Sequence, residues 1–95
     1  MKTVLLKLFV TGHSPRSLAA ISNLKDICSK EILQPYRLDI IDILENPDIA
    51  EKEHILATPT LIKALPPPVR RLIGDLSDHK EVLRGLDVIG NTSIK

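Results

Sequence analysis

Apolar residues are nearly continuous from Thr3 to Val10, and the run stops at Gly12-His13-Ser14-Pro15. That is short for a helix and usual for a strand covered on both faces, so it predicts a buried strand of a parallel or mixed sheet. Ser14 followed by Pro15 is the order of a helix N-cap and first turn. Leu18, Ile21, Leu24 or Lys25, Cys28 and Ile32 then recur at three- and four-residue steps. This spacing predicts one apolar stripe along a helix of about four turns. Leu38-Asp39-Ile40-Ile41-Asp42-Ile43 is short and β-branched, a second strand with apolar residues on both faces. The three elements make a βαβ unit with a right-handed crossover.

The second half opens on another cap signal, Asn46-Pro47, with Asp48 and Glu51 placed to favour a helix N-terminus. This short helix ends before Thr58-Pro59. Thr60 to Leu65 reads as a strand, Pro66-Pro67-Pro68 as a rigid polyproline connection and Val69 to Ile73 as a further strand broken by Gly74. Asp78 with Glu81 resembles a capping box, opening a helix with Val82, Leu83, Leu86 and Ile89 on its apolar side. The order is βαβαββα, an α/β arrangement of thioredoxin-like type in a single domain spanning 1–95. Gly85 conflicts with it, since a mid-helix glycine costs about 1 kcal/mol relative to alanine. Leu86, Val88 and Gly90 on one side, with Asp87 and Ile89 on the other, also suit a short strand, and Thr60 to Leu65 contains good helix formers. Two readings stay open: ordinary ambiguity of short apolar runs, or a sequence compatible with two packings.

Composition narrows the function classes. Hydrophobic residues are 43% and charged residues 26% of 95, which excludes disorder as the main state. Thirteen Lys+Arg against twelve Asp+Glu leave +1, too little positive field to hold nucleic acid or an anionic membrane. Phe9 and Tyr36 are the only aromatic residues, so stacking platforms for single strands are missing. Lys7 interrupts the first apolar run, no small-residue cleavage site follows it, and no stretch reaches the roughly 20 apolar residues of a membrane span. A single cysteine, Cys28, excludes an internal disulfide and suits a reducing cytoplasm.

A thioredoxin-like order invites thiol chemistry, yet the loop after the first strand, Thr11-Gly12-His13-Ser14-Pro15-Arg16, has no cysteine. Cys28 lies on the apolar stripe and reads as packing. His13, His54 and His79 are far apart without local co-ligands, so no metal is expected. Ser14 lacks a nucleophile elbow, no phosphate-binding glycine loop is present, and Asp39 and Asp42 fall on opposite strand faces. No cofactor and no enzyme activity are expected. Thr58-Pro59 before a strand makes Pro59 a cis-proline candidate. Three prolines project Arg70-Arg71 from a stiff base, either as a protein-binding edge or as a solvated basic turn.

The segment ILATPTLIKALPPPVRRLIGDLSDHKEVLRGLDVI, residues 55–89, resembles the corresponding half of the KaiB family. KTVLLKLFVTGHSP, Asn46-Pro47 and Ala50-Glu51 fit the same family, and the likeness covers roughly residues 2–90. The resemblance implies a non-enzymatic binding protein that is metamorphic. Its ground state, of order βαββααβ, forms a dimer or tetramer and is expected for the free chain. A rarer monomeric state, βαβαββα, binds the N-terminal ring of the ATPase KaiC. The resulting assembly sequesters KaiA and competes with a clock-output histidine kinase. Gly85, Leu86 and Asp87 match the switch region, where changes favour the thioredoxin-like state. Lys63, Arg70 and Arg71 match basic positions at oligomeric or partner surfaces. Ala50 to Leu56, including Glu51 and His54, matches part of the KaiC-facing surface. His54 stands where clock members usually carry lysine, Val4 where they carry tyrosine, and no acidic tail follows Lys95. These departures point to a stress or timing role more than to a full oscillator. The alternative of a different class is a thioredoxin-fold enzyme of the thiol or glutathione type, against which the Gly12–Arg16 loop speaks.

Overall fold

A four-stranded mixed sheet organises the chain in the computed structural model, which describes residues 3–87. Along it run β1 (Val4–Val10), α1 (Pro15–Lys30), β2 (Tyr36–Asp42), α2 (Pro47–Lys52), β3 (Thr60–Leu65), β4 (Arg70–Ile73) and α3 (His79–Leu86). The strand order is β2-β1-β3-β4, with β1 and β2 parallel across the α1 crossover and β3 antiparallel to both β1 and β4. This is the βαβαββα order of the thioredoxin-like state. The order βαββααβ, expected for the free chain, is not the one adopted.

Alternation along β1 divides the molecule into two layers. Val4, Leu6, Leu8 and Val10 join Ala20, Leu24, Ile27 and Cys28 of α1 and Val82, Leu83 and Leu86 of α3 in one buried cluster. Leu5, Lys7 and Phe9 point to the opposite face, where α2 lies. The α1 stripe is rotated from its expected position. Ser17, Ala20, Leu24, Ile27 and Cys28 are buried, whereas Leu18 is 49% exposed. The cause is polar: the buried Ser17 hydroxyl accepts the Thr11 backbone N–H at 3.0 Å and the Ser14 hydroxyl at 2.8 Å, which draws that edge of the helix inward. Ser14 also caps α1 by accepting the Ser17 backbone N–H.

β2, read as a strand with apolar residues on both faces, lies at the sheet edge with none of its residues buried, and Tyr36 and Ile40 are exposed. The triple proline does not act as an extended spacer. It lies in the connection of the antiparallel β3–β4 hairpin, and the Leu65–Pro66 and Pro67–Pro68 peptides are cis, as is Thr58–Pro59. At α3 the Asp78 carboxylate accepts the Glu81 backbone N–H at 3.2 Å, and Asp87 closes the helix in the left-handed region at φ 57°. The positions Val88, Ile89 and Gly90, which the helix and strand readings contest, lie outside the described residues.

Gly85 is helical, and the reason lies across the layer. A Cβ added there would sit 2.5 Å from Leu72 Cδ2, so the missing methyl lets β4 approach α3. Only the end of one flexible side chain opposes that methyl, and Leu72 borders an open groove. Gly85→Ala is therefore expected to stabilise this packing by less than the ~1 kcal/mol helix-propensity gain, and by closer to the full amount in a Leu72→Ala background. Urea denaturation of the double-mutant cycle measures the difference; an equal effect in both backgrounds contradicts the contact.

Candidate partner-binding and switch surface

The sequence-selected residues fall into two groups that β4 connects. The first gathers around the end of α2. Ala50 is half-buried and Glu51 exposed on the helix, while His54 follows it in the left-handed region at φ 56°. The Ile55 N–H donates to the Ala50 carbonyl at 2.9 Å and the His54 N–H to the Glu51 carbonyl at 3.1 Å, closing the turn. Arg71 reaches this turn from β4, donating to the backbone carbonyls of Glu53 and His54. Lys7 approaches from β1 and pairs with the Glu53 carboxylate at 3.4 Å. Sequence reasoning selects Arg71 as an exposed charge but misses these links, because no spacing pattern connects residue 71 to residues 53 and 54.

The second group sits at the end of α3. Leu86 is fully buried, Asp87 is exposed, and Arg70 lies 3.9 Å from the Asp87 carboxylate. Neighbouring strand residues face opposite ways, so Arg70 and Arg71 serve different layers. Lys63, expected at an oligomeric or partner surface, is only 1% exposed here. It stands opposite Leu6 and Arg70 in register on the helix-covered face, and a central strand leaves its stem no surface to occupy. Pro59 is also buried, next to a contact between the Thr11 and Thr58 hydroxyls at 2.5 Å.

The loop that carries the thiol in thioredoxin-like enzymes presents His13 and hydroxyl groups here. Cys28 is 2% exposed, more than three turns further along α1, and burial pushes its thiol up to about 11. The neutral thiol is favoured in the fold, so its contribution to stability is fully present below the unfolded thiol value near pH ~8.5. That contribution is lost as pH rises through about 11. Cys28→Ala is expected to flatten the fall in denaturation free energy over this window relative to the native chain. An unchanged slope contradicts the burial of the thiol.

Asp42 ties down two backbone segments. Its carboxylate accepts the backbone N–H groups of Gly12 at 3.1 Å and Leu44 at 2.9 Å, whereas Asp39 bonds Arg37. His79 contacts Glu31 at 3.1 Å and bridges α3 to the end of α1. Nearby, Lys30 holds the Asp26 carboxyl below its usual range, and Asp26 raises Lys30 in return. Among the described residues no three His, Cys, Asp or Glu side chains converge on a metal position, and no helix is long and apolar enough to cross a membrane. A groove of about 380 Å³ runs between β4 and α3, floored by Leu72, Leu76, Val82 and Gly85 and flanked by Arg16 and Arg84.

Comparison with known proteins agrees with this geometry. The family described as KaiB domain matches residues 7–88. The circadian clock oscillator protein KaiB of Prochlorococcus marinus (strain MIT 9303) is 56% identical over 88 residues, covering 93% of this chain and 74% of that protein. The protein of the same name from Microcystis aeruginosa (strain NIES-843 / IAM M-2473) is 54% identical and is covered to 85%. Among solved structures, the N-terminal domain of Synechococcus elongatus SasA superposes with a TM-score of 0.73 at 27% identity, over 92% of this chain and 86% of that one. Mitochondrial thioredoxin 3 of Saccharomyces cerevisiae gives 0.71 at 19% identity, over 88% and 76%, a likeness of fold alone.

Proposed function

The chain belongs to the KaiB family, and from that membership we propose a non-enzymatic, cytoplasmic regulatory protein, one domain over 1–95, that engages a KaiC-like ring ATPase by fold switching. Its role is circadian timing or stress adaptation. The carrying observation is the 56% identity to a circadian clock oscillator protein over 93% of the chain. The likeness to the SasA N-terminal domain agrees with a clock role.

Two packings separated by a few kcal/mol respond to a partner that binds one of them, by its differential affinity. The packing described above would be the binding-competent one. It presents Ala50 and Glu51 on α2 with His54 in the turn that follows, and orders Gly85, Leu86 and Asp87 at the end of α3. The free chain would rest as a dimer or tetramer of order βαββααβ, which opposes binding by mass action, so dilution favours the competent form. Arg70 and Lys63 would serve those oligomeric contacts, Lys63 only in the packing that releases it from the sheet. KaiA or a clock-output histidine kinase would join or compete where the organism has them.

Native mass spectrometry with the KaiC-like ATPase of the same organism, sampled over hours, tests this reading. A complex that accumulates slowly is expected; immediate saturation contradicts fold switching, and no complex contradicts the partner. The thiol or glutathione enzyme is the second reading, and the buried Cys28 weighs against it. Turnover in a disulfide-reduction assay would revive it.

A further inference from the structure

We propose that Arg71 is a positioning residue for the α2 surface: from β4 it holds the turn that ends α2, so that surface is fully held only when β4 pairs with β3. The inference rests on the reading of α2 as partner-facing and adds the device that builds it.

α2 has little to hold itself in place. It is six residues long, none of them buried, and its N-cap Asn46 makes no side-chain cap bond. A helix of one to two turns is unstable alone. Its Ile49, Ala50 and Glu51 carbonyls are taken by the backbone N–H groups of Glu53, Ile55 and His54, and cations from the sheet hold the turn so formed. Lys7, Ile62 and Arg71 form one transverse row of the register across β1, β3 and β4, and side chains of such a row share a face. Both ends of the row reach the same residue: Lys7 bonds the Glu53 carboxylate, and Arg71 bonds the Glu53 carbonyl. The second arm of the guanidinium donates to the His54 carbonyl at 3.5 Å. A planar fork can serve two neighbouring oxygens at once, which an ammonium does poorly, and positive charge at a helix C-terminus is favoured by the peptide dipoles. The bonded turn carries Ala50, Glu51 and His54 through their own backbone hydrogen bonds.

Arg70 provides an internal control. It has the same charge and also lies on β4, yet it faces the other layer and its ion pair is with Asp87. Loss of the Ile62–Arg71 register removes one of the two anchors of α2. The half of the chain that changes packing thereby controls a surface lying some 20 residues earlier in the sequence.

Four variants test the assignment: Arg71→Ala, Arg71→Lys, Arg70→Ala and the native chain, each enriched in this packing by Gly85→Ala. NMR amide exchange is read on the resonance set that shows the Ile62–Arg71 cross-strand contact, alongside affinity for the KaiC-like ATPase. Arg71→Ala is expected to speed exchange at Glu53, His54 and Ile55 about tenfold, chiefly from loss of the charge-assisted bond to the Glu53 carbonyl, the 3.5 Å bond to His54 adding little. At these amides Arg71→Lys should give a partial effect and Arg70→Ala none, with β1 and α1 amides unchanged throughout, and affinity should fall from Arg71 through Arg71→Lys to Arg71→Ala. Unchanged exchange at 53–55 overturns the proposal, as does absence of the cross-strand contact. Faster exchange with undiminished binding overturns the role at the partner surface. If the native chain binds no ATPase, the functional reading fails, and the exchange measurement still decides whether Arg71 holds α2.

Discussion

Replacing Leu86 with alanine is expected to weaken this packing by about 3 kcal/mol, within the usual range for a buried leucine. Leu86 is fully buried on α3, in the cluster that α3 shares with Val4, Leu6 and Leu61 of the sheet. The two packings proposed for the family differ in this half of the chain, so the loss falls on one of them more than on the other. Affinity for a KaiC-like ATPase should then drop by up to about 150-fold, the equivalent of ~3 kcal/mol falling wholly on this packing. Titration by fluorescence anisotropy measures it. Binding within twofold of the native chain contradicts a binding-competent state built on α3.

Leu24→Ala is the matching experiment in the first half, with an equally large cost and a different consequence. Leu24 is fully buried on α1 against the face of β1. Both element orders begin βαβ, so this contact is common to them, and removing it weakens both by similar amounts. Global stability should fall by about 3 kcal/mol, lowering Tm by roughly 12–20 °C for a domain of this size. The proportion of chain in each packing, and the slow approach to the complex, should stay as in the native chain. A Leu24→Ala protein that shifts its packing as strongly as Leu86→Ala contradicts the division of the molecule into a constant and a changing half.

The two halves also differ in how much of the fold is legible in the residues alone. Thr3 to Val10 and the Ser14-Pro15 start of α1 are legible because local preference and burial agree there. The second half keeps the right element order, but Gly85 looks like a defect until Leu72 is placed opposite it. A missing methyl that makes room for a neighbour leaves no trace in periodicity. Periodicity misplaces the α1 stripe for a similar reason. Ser17 is drawn inward by Thr11 and Ser14, a local polar bond that outweighs the apolar pull of Leu18. The family resemblance assigns Lys63 to an oligomeric or partner surface, although its position in a central strand buries it in this packing. At the candidate site, individual residues are identifiable and their connections are not. Arg71 meets Glu53 and His54 only through the register of three strands.

The most direct measurement follows hydrogen exchange along the native chain before and for hours after addition of the KaiC-like ATPase. Amides of β1, α1 and β2 should be protected alike at all times. Those of residues 50–87 should start from a different pattern and move slowly to the one expected of β3, β4 and α3. Identical protection of residues 50–87 with and without the ATPase would contradict a half that exchanges one packing for another.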